Sequence, residues 1–437
     1  MFLMFLTPNR RYATLAGAVL FLEWTWVFLG SPGHKDILAS MPSQHKGANE
    51  DIFDYGFVQS DALRDICDGV EWNNELIFTC DNNSGSVADV KNSILNCLRF
   101  TIAAGGRLVT PRIIVTTTSE IAPIDSATKR TDLGAMFDLH HFLMSLHLSC
   151  PQLSTYKHVD DVPPRAWKHD PLLLRPEDLQ SPLPPTGIPH PGSWGGDFHN
   201  WFNNQTATRM STGDLNVVNL ARSPPVYPVS SDEGLAHEFG MFLKIQRDAR
   251  IVATSTFHAL LRKHNIDAAH SSAIARNAYV GAYLGSNSKP IDPSAPKTNY
   301  TPSTLPQRIL NETLAADLKV LYLASTEPTS GESLAGDASR LGIFVDTKFK
   351  LLPSVDVAAL LAWAPEQQAL VDYLVLGRAS QFMSVGGDNF GWSVALGRGG
   401  KWREGGGEGM EGGLLRDSLS RIYGKKGDDE FASCLWP

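Results

Sequence analysis

Asp81 and Asp89 are the acidic residues of a turn-rich stretch that follows a short β-prone run, Glu75–Cys80. A carboxylate there could take the proton of an attacking hydroxyl. Asp89 also falls in the first turn of the next helical pattern, where an acid is stabilised by the helix dipole, and this capping role is preferred over catalysis. His140 and His141 have no partners at metal-ligand spacing and read as part of a helix in the first core; His237-Glu238 is not followed by the second histidine of a zinc-protease helix, and Gly405–Gly413 lacks the Lys-Ser/Thr of a phosphate loop. The cysteines are Cys67, Cys80, Cys97, Cys150 and Cys434, with no CxxC or Cys/His spacing, so no metal site is expected. In an oxidising compartment they allow two disulfides and one free thiol, in pairings that spacing alone does not choose.

The elements that would position these residues follow from periodicity. Val87, Val90, Ile94 and Leu98 share one helical face, and Gly105 and Gly106 end it; Leu108–Thr117 is a second β-prone run. Strand, loop, helix, strand is the opening of a Rossmann-like unit, with the loop over the carboxyl edge of the sheet. Residues 162–201, rich in Pro, Gly and Trp, read as an irregular surface excursion whose tryptophans anchor a loop or line an acceptor groove. A second proline cluster, Pro224, Pro225 and Pro228, marks a boundary, and one helix is expected from Leu235 to His264. Beyond it, Ala278–Leu284, Leu318–Ala324 and Ile343–Asp346 are strand candidates, Val357–Trp363 and Glu366–Arg378 are helical, and the Gly-rich residues 396–413 read as an insertion. The expected fold is therefore α/β, with a first Rossmann-like domain at 59–228 and a second at 229–437 facing a cleft.

The 437 residues, 43% hydrophobic and 19% charged, suffice for two core-bearing domains, and the net charge of −8 argues against a nucleic-acid partner. Ala13–Gly30 is an apolar run preceded by Arg10 and Arg11, just long enough to span a bilayer despite Glu23. Residues 1–30 are expected to be a cytoplasmic tip and signal-anchor helix and 31–58 a stem, the rival being a cleaved signal peptide, although no small-x-small site follows. Sequons at Asn82, Asn204, Asn299 and Asn311 fit a luminal body, in the endoplasmic reticulum or the Golgi.

Three groups of segments, in this order, resemble the fungal branch of the O-fucosyltransferase-like glycosyltransferases: residues 92–100 with 103–112; residues 136–143 with 150–152; and residues 345–349, 368–372 and 378–395, with an ending at 417–424 and 435–437. The resemblance covers residue 65 to the end. It implies a two-domain GT-B fold with type II topology. It also implies metal-independent, inverting transfer of fucose from GDP-fucose to a luminal protein or glycan. Such chemistry needs preorganised cationic or N–H donors at the leaving diphosphate and a base for the acceptor hydroxyl.

The same resemblance assigns candidate residues and exposes departures. A His-Leu-Arg strand end is replaced by Tyr283-Leu-Gly285, so the diphosphate-binding Arg position is a glycine, a loss of about 100- to 1000-fold in rate for one donor. Arg276, Lys289 and Arg378 are the candidate replacement cations. The family's Gly-x-Gly-Asn-like run is here Ser86–Asp89, which leaves Asp89 and Tyr283 as the catalytic candidates. Asp372 would contact guanine or ribose, Asn389 would donate hydrogen bonds and Phe390 would pack near the base, while Gly386 and Gly387 permit a tight turn. Asp388 puts a carboxylate where a neutral hydroxyl is expected beside a phosphate, which suits an anionic donor poorly. Two principal functions follow: an active fucosyltransferase, or a catalytically impaired relative that binds a glycoprotein. A third, more remote, is a transferase with a different donor, for which the Asp388 carboxylate would make sense.

Overall fold

Apolar runs bounded by turn residues become the strands of two parallel sheets. The structure, a computed structural model, describes residues 51–81, 83–116, 128–207, 214–221, 226–267, 274–285, 305–326, 328–385, 387–399, 413–424 and 430–437. The expected anchor, most of the stem, Asn82, Asn299, Lys289, Gly386 and most of the Gly-rich stretch lie outside these residues. Among the described residues no helix is long and apolar enough to cross a membrane.

The first half contains α1 (Asp61–Asp68), β1 (Leu76–Thr79), α2 (Val87–Ala103), β2 (Arg107–Val109), β3 (Ile113–Thr116), β4 (Thr128–Thr131), α3 (Leu139–Ser149), β5 (Thr155–Tyr156), β6 (Leu172–Leu174), α4 (Trp194–Thr206) and β7 (Asn216–Leu220). Its sheet has the order β5-β2-β1-β7-β6, parallel throughout. After α5 (Glu233–Gly240) and α6 (Arg247–Lys263), the second half runs β8 (Val280–Leu284), α7 (Leu305–Ala315), β9 (Val320–Ser325), α8 (Pro328–Arg340), β10 (Phe344–Asp346), α9 (Lys348–Leu351), α10 (Ser354–Leu361), α11 (Pro365–Gly377), β11 (Gln381–Val385), α12 (Asn389–Gly397), β12 (Gly413–Arg416) and β13 (Ser420–Tyr423). The order β10-β9-β8-β11-β13-β12 is parallel except for the β12 edge. The chain is thus a mixed α/β protein, and the order of its second sheet reverses between β8 and β11.

Both sheets belong to one compact unit, Glu50–Pro437. Buried Phe78, Leu98, Phe257, Tyr322, Leu370 and Phe390 belong to a single apolar core that runs from the first sheet through the intervening helices to the second. Cys67 pairs with Cys150 and Cys80 with Cys97, tying α1 to the end of α3 and the end of β1 to α2; Cys434 is free and buried. Gly105 ends α2 with φ +68°, a left-handed conformation that suits glycine. The final residues return to the first half, where buried Trp436 stacks on Tyr227 and donates from Nε1 to Asn96 Oδ1 at 2.8 Å.

Several expectations give way to tertiary hydrogen bonding. Leu108–Thr117 is two strands: the sheet ends at Val109, Pro111 cannot extend the ladder, and Ile113–Thr116 pairs with β4 instead. The helix expected over Leu235–His264 is interrupted at 241–246, because Lys244 O accepts from Asp138 N at 2.7 Å and Gln246 N donates to Met136 O at 2.9 Å. The proline-rich stretch is not wholly irregular. It supplies β6, an edge strand where flanking prolines are tolerated, and the start of α4. There Trp194 is fully buried against Phe100 and Phe198 and donates from Nε1 to Pro176 O at 2.9 Å.

Candidate functional site

Strand order reverses between β8 and β11, and open α/β sheets bind ligands at the carboxyl ends of the strands beside such a point. Tyr283 and Gly285 stand at the end of β8, and Asp388, Asn389 and Phe390 follow β11. Asp388 is the N-cap of α12: its Oδ1 accepts from Phe390 N at 2.7 Å, and its Oδ2 accepts from the Tyr283 hydroxyl at 3.1 Å. A Cβ on Gly285 would lie 2.6 Å from Asp388 Oδ2 and 3.1 Å from Tyr283 Cε1, so only glycine leaves room for this carboxylate. Phe390 is buried, with its ring centroid 4.3 Å from that of Tyr283 and 5.6 Å from that of Tyr373.

The first half contributes Asp89. It closes a capping box at the start of α2, with Ser86 N and Ser86 Oγ donating to Oδ2 at 2.9 and 2.7 Å. Its other oxygen accepts from Asn389 Nδ2 at 2.6 Å, so the N-termini of α2 and α12 meet directly across the junction of the two sheets. Asp89 thus has the capping role preferred for it from the sequence, and its other oxygen meets the junction at the same time.

Charge at this point is negative. Burial pushes the Asp388 carboxyl above the ordinary carboxylate range and nearby Asp89 adds to the effect, while the Phe390 N–H and the Tyr283 hydroxyl oppose it. Burial, reinforced by Asp388, also raises the Tyr283 phenol, which stays protonated and serves as a donor, not a base. Among the described residues no lysine or arginine forms an ion pair with Asp89 or Asp388; their partners are Ser86, Asn389, Phe390 and Tyr283.

Two expected donor-site cations are elsewhere. Arg378 closes α11 and donates to Ile52 O at 2.5 Å, with its guanidinium over the rings of Phe53 and Phe257, and burial lowers its proton affinity. It precedes β11, and Ala275 N donates to its carbonyl at 2.8 Å, which sets Arg276 at the same amino edge of the sheet. Five residues of β8 separate that edge from Gly285 by about 17 Å, so neither arginine reaches the Asp388 cluster.

Asp372 is also committed internally. Tyr322 donates to its Oδ1 at 2.7 Å, and Lys348 Nζ, itself buried and also bonded to Gln368 O, reaches its Oδ2 at 2.5 Å. Lys348 is absent from the residues expected at the site, and its place just after β10, within residues 345–349, is the signal that points to it. Gly387 has open space around it. Asn204 and Asn311 are exposed on α4 and α7.

No protein-family model matches the chain, and no curated protein matches it either. Among solved structures it is similar to POFUT1 in complex with GDP, with 10% identity over 81% of this chain and 99% of that one and a TM-score of 0.45. It is similar to an Arabidopsis thaliana FUT1 mutant in complex with GDP (11% identity, 78% and 73% covered, TM-score 0.33) and to NodZ α-1,6-fucosyltransferase soaked with GDP-fucose (12%, 72% and 89%, TM-score 0.36). Likeness at this level decides nothing about activity, which has to be read from this chain's own residues.

Proposed function

We propose that the protein is a glycosyltransferase that passes fucose from GDP-fucose to a protein or glycan acceptor in the lumen of the endoplasmic reticulum or Golgi, without a metal and with inversion, on a GT-B arrangement of its two sheets. One observation carries this reading. Residues from three distant stretches that the sequence resemblance singles out, 86–89, 283–285 and 388–390, converge at the carboxyl ends of β8 and β11, against the N-terminus of α2 in the other half.

As the sugar bond breaks, charge grows on the diphosphate and needs donors fixed in advance. The Phe390 N–H at the start of α12, the Asn389 amide and the Tyr283 hydroxyl are such donors, and Asp89 is the carboxylate that meets them from the other half. In the present arrangement Asp388 and Asp89 occupy these donors. A protonated Asp388 removes one like charge and adds a hydrogen-bond donor, and its raised proton affinity makes that form accessible. The reading therefore requires GDP binding to strengthen as the pH falls through the titration of Asp388.

A second reading is favoured by the same carboxylate. An ionised Asp388 caps α12 where an anionic ligand would sit, and the position expected to carry arginine is Gly285. On that reading the protein keeps the fold, transfers no sugar and binds a glycoprotein. Calorimetry of the full-length chain with GDP and GDP-fucose over a falling series of pH values, with GDP release assayed alongside, decides between them. Saturable binding that strengthens on acidification supports transfer; absence of binding to either nucleotide rules it out and leaves the second reading.

A further inference from the structure

The first sheet carries a cavity of about 100 Å³ that shares no lining residue with the Asp388 cluster. It extends over the carboxyl ends of three neighbouring parallel strands, at Thr79–Asp81 after β1, Val109–Arg112 after β2 and Lys157–Asp160 after β5. Ligand crevices of α/β sheets lie at such ends. The Cys80–Cys97 disulfide fixes one wall to α2, and buried Asn83 fixes another by donating to Cys80 O and Arg112 O at 2.8 and 2.7 Å.

The lining selects a class of ligand. Arg112 Nη2 lies 3.4 Å from Asp81 Oδ2, and His158 Nδ1 lies 3.9 Å from Asp132 Oδ1, so both already face carboxylates. With Lys157 and Asp160 the wall alternates acceptors and donors without an excess of positive charge, and a phosphate would meet three carboxylates. Among the described residues no group of three or more His, Cys, Asp or Glu side chains is set to hold a metal ion. Carboxylates that accept from hydroxyls, cations that donate to hydroxyl and ring oxygens, and the apolar flanks of Leu133 and Leu139 suit a neutral polyhydroxylated ring. The volume is on the scale of one such ring.

We infer that this cavity binds a single neutral monosaccharide unit of a glycan. Its use as the acceptor subsite rests on the transferase reading; the binding itself does not. The test is saturation-transfer NMR and titration of the full-length chain, without nucleotide, using methyl glycosides of mannose, galactose and N-acetylglucosamine and oligosaccharides that end in them. At least one glycoside saturates with a millimolar Kd, weakened about tenfold or more in Asp132→Asn and in Lys157→Met, both exposed positions whose replacement spares the core. The matching oligosaccharide binds at least as tightly.

No saturation up to about 100 mM, or saturation that both variants leave unchanged, overturns the inference. So does an oligosaccharide excluded while its terminal glycoside binds, or saturable inorganic phosphate binding lost in Lys157→Met. If GDP binds and no glycoside does, only this inference fails; if a glycoside binds and GDP does not, only the transferase reading fails.

Discussion

Replacing Lys348 with methionine removes the ammonium facing Asp372 while keeping an apolar stem of similar reach. The Asp372 carboxylate then retains the Tyr322 hydroxyl at 2.7 Å, in a place where the Asp372 side chain is only 13% exposed and that of Lys348 only 8%. Removing one partner of a buried pair costs about 3–5 kcal/mol, because the remaining charge is left uncompensated. Spread over a unit the size of residues 50–437, whose unfolding entropy is near 0.8 kcal/mol per kelvin by the usual per-residue value, this lowers Tm by about 4–6 °C. Thermal and urea unfolding of the purified chain measure it. The double variant Lys348→Met/Asp372→Asn should recover part of the loss, since it removes the uncompensated charge and keeps an acceptor for the Tyr322 hydroxyl. A single variant losing less than about 1 kcal/mol would mean that Asp372 is solvated or held ready for a ligand, and the internal assignment would be refuted.

Gly285→Ala forces a methyl against Asp388 Oδ2 and the Tyr283 ring and should cost about 1–3 kcal/mol in urea unfolding; an unchanged midpoint would contradict the packing described. Asp388→Asn should stabilise the protein at neutral pH. The native carboxyl holds its proton more strongly than the unfolded one, so the stability this confers is full below the unfolded pKa and lost as pH rises through the folded pKa. The variant's advantage in Tm should therefore grow with pH and vanish in acid, and a pH-independent difference would contradict it. Arg378→Met should lower stability by about 1–3 kcal/mol through the lost bond to Ile52 O while leaving any GDP affinity unchanged; a selective loss of GDP binding would return Arg378 to the donor site.

Much of the framework is written locally. The face formed by Val87, Val90, Ile94 and Leu98 coincides with α2, and the apolar runs at 278–284, 318–324 and 343–346 coincide with β8, β9 and β10 to within a few residues. What escaped depends on partners far along the chain. The break at 241–246 exists because Met136 and Asp138 pair with it, and β6 exists because β7 lies beside it. The site shows the same division. Asp89, Tyr283, Asp388 and Asn389 stand out by type and resemblance. The contact between Asp89 and Asn389 spans 300 positions, and the commitment of Asp372 to Lys348 and Tyr322 crosses three elements. Arg378 misled for a related reason: charge is visible in a sequence, but the edge of the sheet on which it falls is not.

The most direct measurement is hydrogen–deuterium exchange of the full-length chain at mildly acidic pH with and without GDP. If the carboxyl ends of β8 and β11 hold the nucleotide, the amides of residues 283–285 and 387–391 slow together when GDP is added, and Gly285→Ala abolishes the slowing. No change there, or protection confined to the amino edge near Arg276 and Arg378, would contradict the assignment of the donor site.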